Sequence, residues 1–167
     1  LSAMGAYAIS QGKNVVHYTL ELNESYVGLR YDSIFSGVEG QNLMYHKDEV
    51  LEKVEKVEGD LTIKYYPTRS CTVNTLSAHI KKATSFGAEV DMILVDYADI
   101  MRDVGKSTEM RHQLGNIYED LRGLAGEMQI PIWTASQANR SALDEDVIDA
   151  SKVAESYAKV MTADFVI

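Results

Sequence analysis

Three polar side chains in this sequence stand directly behind apolar, β-branched runs: Glu21 after Val15-Val16-His17-Tyr18-Thr19-Leu20, Asp96 after Ile93-Leu94-Val95, and Gln137 after Ile132-Trp133-Thr134-Ala135-Ser136. A carboxylate in such a place can accept a proton or orient a water within hydrogen-bond reach. One aspartate can serve a magnesium ion, which keeps several waters and takes few protein oxygens. A glutamine amide donates and accepts at once. Each residue also has an ordinary reading. Asp96 can cap the turn after its strand, Glu21 can be a solvated residue ahead of a helix cap, and Gln137 can bond a neighbouring loop.

The elements that would position these residues alternate along the chain. Leu1, Met4, Gly5 and Ala8 follow helical spacing up to Gly12, where a left-handed residue commonly closes a helix. A strand over 15–20 follows, then a helix entered through Asn23 or Ser25 and closed at Gly37. Charges alternating around Val50, Leu51, Val54 and Val57 predict a solvated amphipathic helix over 47–58. A second strand spans 61–66, stopped by Pro67, and a helix spans 74–86. The run 90–96 does not alternate, as expected of a strand buried on both faces. Met110, Leu114, Ile117, Leu121, Leu124 and Met128 step through a long helix as its packing face. A strand over 131–136, a polar acidic loop over 141–150, a helix over 151–161 and a further strand from Ala163 complete the pattern. Strands alternating with helices imply an α/β fold with a parallel sheet and right-handed crossovers. Ligands of such sheets bind outside the carboxyl ends of the strands, where Glu21, Asp96 and Gln137 lie.

The 167 residues, 46% apolar and 25% charged, suit one globular domain and exclude a disordered chain. A single cysteine, Cys71, leaves no internal disulfide framework. The longest apolar runs are far shorter than the roughly 18 residues of a membrane span. No signal peptide is apparent. The net charge of −9 argues against a uniformly basic nucleic-acid coat, though not against a local basic loop. His17, His46, His79 and His112 lack metal-ligand spacing. Trp133 reads as a core residue, and Tyr97 either as a pocket wall or as a packed aromatic.

Three stretches occur in order at predicted strand ends: Tyr18-Thr19-Leu20-Glu21-Leu22, Val95-Asp96-Tyr97-Ala98-Asp99-Ile100-Met101, and Thr134-Ala135-Ser136-Gln137-Ala138-Asn139-Arg140. Together they resemble the S-L-E-M, D-Y-L-Q-L-M and S-Q-L-N-R signatures of the RecA-like ATPase domain of hexameric replicative DNA helicases of the DnaB family. Ile63-Lys64-Tyr65-Tyr66-Pro67-Thr68 and the segment 149–167 are similar to its T4-type phage branch. The resemblance covers essentially the whole chain. It implies a RecA-like three-layer sandwich with a mainly parallel sheet, and an ATP-dependent motor, cytoplasmic, that translocates on single-stranded DNA. It further implies a homo-hexameric ring, with primase and a helicase loader as partners.

By the same resemblance, Glu21 is the catalytic carboxylate that polarises the attacking water. Asp96 is the Walker B residue that organises Mg2+ through water, Tyr97 lies beside it at the nucleotide, and Gln137 senses the γ-phosphate. Arg102 and Lys106 in a first loop, and Arg140 and Lys152 around a second, are the DNA-binding candidates. Asp144, Glu145, Asp146 and Asp149 share that second loop, so an ordinary solvated loop is the alternative. No Gly-x-x-x-x-Gly-Lys-Ser/Thr occurs in the chain. Residues 1–167 are therefore expected to be a partial ATPase core, lacking the P-loop and the C-terminal strands and inactive alone. A recombinase or clock-protein relative on the same core is one competing reading. A non-catalytic α/β interaction module is another.

Overall fold

The computed structural model describes residues 1–105, 108–137 and 158–167. Helix α1 (Ser2–Ser10) leads to β1 (Val15–Thr19), α2 (Glu24–Ser36), a 3₁₀ turn over Gly40–Tyr45, α3 (Lys47–Val54) and β2 (Leu61–Tyr65). Then come α4 (Val73–Ser85), β3 (Met92–Asp96), a 3₁₀ turn over Ala98–Ile100, α5 (Met110–Met128), β4 (Ile132–Thr134) and α6 (Ala158–Thr162). The four strands form one parallel sheet in the order β2-β1-β3-β4. Val15 to Thr19 pair with Leu61 to Tyr65 on one side and with Met92 to Asp96 on the other.

Both faces of the sheet are covered. Val16, Tyr18, Ile93 and Val95 point to one face, against Leu76 and Ile80 of α4 and Ile117, Leu121 and Leu124 of α5. Val15 and Leu94 point to the other, against Ala6 and Ile9 of α1 and Val27 and Tyr31 of α2, with Trp133 packed at the edge of that cluster. This two-sided burial is why the strands read as apolar runs. Gly5 lets α1 sit close: a Cβ there would meet the Tyr31 hydroxyl and lie 2.8 Å from Leu94 Cδ1. Asn23 caps α2 by accepting from the Tyr26 amide, and Gly37 ends it in the left-handed region at φ 72°.

Several boundaries differ from the sequence reading. Helix α3 stops at Val54, where Lys56 and Val57 switch to i→i−3 bonds. Helix α4 starts one residue early because Thr72 and Thr75 form a capping box. The buried stripe of α5 comprises Leu114, Ile117, Tyr118, Leu121 and Leu124, whereas Met110 is exposed. Strand β4 is only three residues long, since Thr134 Oγ1 donates to the Val95 carbonyl (2.8 Å) and accepts from the Ala98 amide (2.9 Å), which diverts the chain from the ladder. The strand expected from Ala163 is absent. Among the described residues that segment pairs with no strand, Phe165, Val166 and Ile167 are exposed, and Asp164 is held instead by Arg122 at 2.6 Å. The acidic loop and most of the helix read over 151–161 lie outside the described residues.

Candidate active site

Parallel pairing places the three strand-end residues on one edge. Thr19 is the register partner of Asp96 and Val95 of Thr134, so Glu21 and Gln137 lie two and three residues beyond those rungs. The Leu20 amide donates to the Asp96 carbonyl at 2.9 Å, which ties the exit of β1 to that of β3. Neighbouring strands are about 4.8 Å apart, so β1, β3 and β4 spread their exits over roughly 10 Å. That span is commensurate with a phosphate chain and its metal ion.

Glu21 sits in the turn between β1 and α2. Thr19 Oγ1 donates to the Leu22 carbonyl (2.7 Å) and Thr68 Oγ1 to the Leu20 carbonyl (3.1 Å), fixing that turn from both sides. The Glu21 carboxylate is exposed and makes no hydrogen bond among the described residues. It is thus available to a water.

Asp96 is more enclosed, its side chain 27% exposed. The His17 imidazole beside it holds its carboxyl below the ordinary range, against the opposing effect of burial, with Arg30 acting in the same direction. His17 is fully buried on β1, its Nδ1 2.9 Å from the Tyr31 hydroxyl and its Nε2 3.9 Å from Asp96 Oδ2. Burial, then the neighbouring Asp96 charge, lifts the Tyr31 phenol well above its usual range, so it stays protonated and pairs with Nδ1 as donor or acceptor according to the imidazole tautomer. His17 Nε2 has no hydrogen-bond partner and faces Asp96 at a separation too long for a direct bond. The sequence reading did not single out this Tyr31–His17–Asp96 line. Its one signal was a histidine inside an apolar strand, which acquires meaning only through the register of β1 with β3.

Tyr97 follows Asp96 through a cis peptide bond. Its hydroxyl accepts from Gln137 Nε2 at 2.9 Å, so the pocket-wall residue and the predicted sensor are joined directly. Burial, then Glu21, Asp99 and Asp96, raise the Tyr97 phenol above its ordinary value. Glu21, Asp96, Tyr97 and Gln137 therefore share one acidic, half-open edge. A lone ionised carboxylate with an open face fits the outer sphere of a hydrated magnesium ion. Among the described residues no three His, Cys, Asp or Glu side chains cluster as a metal cage. Cys71 is packed in the core, where burial pushes its thiol up to about 12.

Of the DNA candidates, Arg102 is exposed just past the 3₁₀ turn that follows β3, its amide bonded to the Cys71 carbonyl at 2.8 Å. Lys106, Arg140 and Lys152 lie outside the described residues. No helix among the described residues is long and apolar enough to cross a membrane.

A parallel sheet with helices on both faces and acidic and amide groups at its carboxyl edge defines a three-layer α/β domain whose ligands bind at the strand ends, as in the RecA-like class. Two solved structures share the fold: a DnaB-like replicative helicase described with its interactions with primase (TM-score 0.76, 14% identity, 95% of this chain and 43% of that one) and the ATPase domain of G40P (TM-score 0.79, 14% identity, 98% and 62%). The chain belongs to the DnaB-like helicase C-terminal domain family, whose family model matches residues 1–167. It is 29% identical over 185 residues to the DnaB-like replicative helicase of Enterobacteria phage T4, covering all of this chain and 38% of that protein. It is 28% identical over 143 residues to the replicative DNA helicase DnaB of Geobacillus stearothermophilus, covering 80% of this chain and 31% of that protein. The chain thus spans about a third of the length of these curated relatives.

Proposed function

We propose that this chain is part of the motor of an ATP-dependent replicative DNA helicase, in which ATP hydrolysis drives movement along single-stranded DNA and duplex unwinding. The observation that carries the reading is the convergence of Glu21, Asp96 and Gln137 at adjacent exits of one parallel sheet, with Gln137 already bonded to Tyr97 beside Asp96. Glu21 orients and deprotonates the attacking water, because its carboxylate is exposed and uncommitted. Asp96 stays ionised beside His17 and holds the waters of a magnesium ion, which supplies charge neutralisation at the phosphates. Gln137 contacts the terminal phosphate or the water, and Tyr97 borders the nucleotide. Arg102, Lys106, Arg140 and Lys152 face single-stranded DNA in a homo-hexameric ring, with primase and a loader as partners. The phosphate cradle is supplied by sequence that this chain does not contain, residues 1–167 being a partial ATPase core.

The test is Glu21→Gln in the complete protein. ATP turnover should fall by at least about 100-fold, the scale of a positioned general base, while nucleotide binding is retained. Normal hydrolysis by that variant would remove Glu21 from its role.

A further inference from the structure

Behind the candidate site lies a buried ion pair that the catalytic reading does not use. Lys159 of α6 is 2% exposed and its Nζ is 2.8 Å from Asp99 Oδ2, a carboxylate itself only 12% exposed. Asp99 also accepts from Tyr118 Oη of α5 at 2.8 Å, from Ser136 Oγ at 3.2 Å and from the Gln137 amide at 3.4 Å. Lys159 Nζ donates to Ser136 Oγ at 3.2 Å and lies 5.7 Å from the centre of the Tyr118 ring. Burial and the adjacent Asp99 carboxylate both raise the Tyr118 phenol, which keeps it a donor. One carboxylate thus gathers the 3₁₀ turn after β3, the exit of β4, α5 and α6.

Stability alone does not account for such a pair, since apolar residues of similar volume commonly replace a buried ion pair without loss. What it does fix is position. Asp99 stands three residues before Arg102 and holds the backbone of Gln137, whose side chain reaches Tyr97 beside Asp96. We propose that Asp99 and Lys159 are positioning residues that couple the state of the nucleotide, sensed at Gln137, to the Arg102 segment that meets DNA. This rests on the motor reading above. A shift of Gln137, beyond the end of β4, pulls on Asp99 through the 3.4 Å contact of its amide, and Asp99 is tied in turn to α6 by Lys159 and to α5 by Tyr118. Movement is therefore passed to the turn over Ala98–Ile100 and on to Arg102 instead of being absorbed locally.

The experiment compares ATP hydrolysis by the complete protein with and without poly-dT single strands, in wild type, Lys159→Met, and the apolar replacement Asp99→Leu/Lys159→Met. Coupling between two sites commonly amounts to about 5- to 150-fold, so Lys159→Met should lower the DNA stimulation factor by roughly fivefold or more, leaving the basal rate and the KM for ATP unchanged. The double variant removes the unpaired carboxylate that Lys159→Met leaves behind, and with a cooperative melt showing that it is folded it should still lack the stimulation. Hydrogen exchange supplies a second reading: a non-hydrolysable ATP analogue should protect amides 98–102 in wild type but not in Lys159→Met. Retained stimulation in the double variant, or equal protection in Lys159→Met, overturns the coupling and leaves the pair structural. A wild-type protein that hydrolyses no ATP overturns the motor reading and this inference with it.

Discussion

The Tyr31–His17 hydrogen bond behind Asp96 can be removed by one oxygen. Tyr31→Phe leaves the ring in place but deprives His17 Nδ1 of its hydrogen-bond partner, in a setting where Tyr31 is 1% and His17 0% exposed. Water cannot readily replace the lost partner, so the cost is that of an unsatisfied buried polar atom, about 1–3 kcal/mol. For a domain of this size each kcal/mol shifts the melting temperature by about 2–4 °C, which gives an expected fall of about 2–12 °C. The cycle with His17→Phe isolates the bond. In that background Tyr31→Phe should cost little, leaving an interaction energy of about 1 kcal/mol or more. Calorimetry or urea melts of the four proteins measure it. Additive losses, or no loss from Tyr31→Phe, would refute the weight given to the Tyr31–His17 hydrogen bond in holding the group behind Asp96. A pH series adds a signed check. The folded-state pKa of Asp96 lies below its unfolded value of about 3.9, so this interaction stabilises the protein above that pH and is lost as pH falls through the folded value. His17→Phe should flatten that acid limb.

Three other outcomes are expected. Gly5→Ala gains about 1 kcal/mol of helix propensity but forces a Cβ onto Tyr31 and Leu94, an overpacking of about 1–3 kcal/mol, so thermal melts should show a net loss; an unchanged melting temperature would mean that α1 has room to shift. His79 is held below its ordinary value by burial, then by Lys64 and Lys82, while its Nδ1 is hydrogen-bonded with the Tyr18 hydroxyl at 2.8 Å. Its contribution is full above about pH 6.5 and declines as pH falls through the folded value, and His79→Gln should remove that slope from stability measured between about pH 7 and 5. Calorimetric titration of residues 1–167 alone with Mg-ATP should show binding no tighter than about millimolar, because a nucleotide there has no glycine-rich cradle of backbone amides; micromolar affinity would contradict this.

The alternation of strands and helices was legible because both faces of the sheet are buried, which leaves a largely apolar, non-alternating run at 15–20, an unbroken one at 92–95, and a clean step of three and four along α5. Glu21, Asp96 and Gln137 were legible for a related reason: a polar residue ending such a run marks the edge at which the chain leaves the core. His17, Tyr31, Asp99 and Lys159 were not. Asp99 and Lys159 are 60 positions apart, and nothing local distinguishes Lys159 from a solvated lysine. The β-branched and aromatic residues at 163–167 misled because strand propensity expresses a fit to a neighbouring strand more than a preference of the backbone itself. At the start of α4, Thr75 performs the reciprocal capping bond for which a glutamate or glutamine is the usual sign.

The contact between Gly5 and Tyr31 has an evolutionary corollary. The space that a side chain at position 5 would need is held by the Tyr31 hydroxyl and by Leu94, so positions 5, 31 and 94 form a single steric unit shared by two helices and a strand. A lineage that placed a methyl at position 5 would have to trim its partners in step. Trimming Tyr31 to phenylalanine would also strip the hydrogen-bond partner from His17 and loosen the group behind Asp96. Drift in the packing of α1 is thereby tied to the carboxylate at the sheet edge, and covariation among Gly5, Tyr31 and His17 is the trace it should leave in a set of relatives.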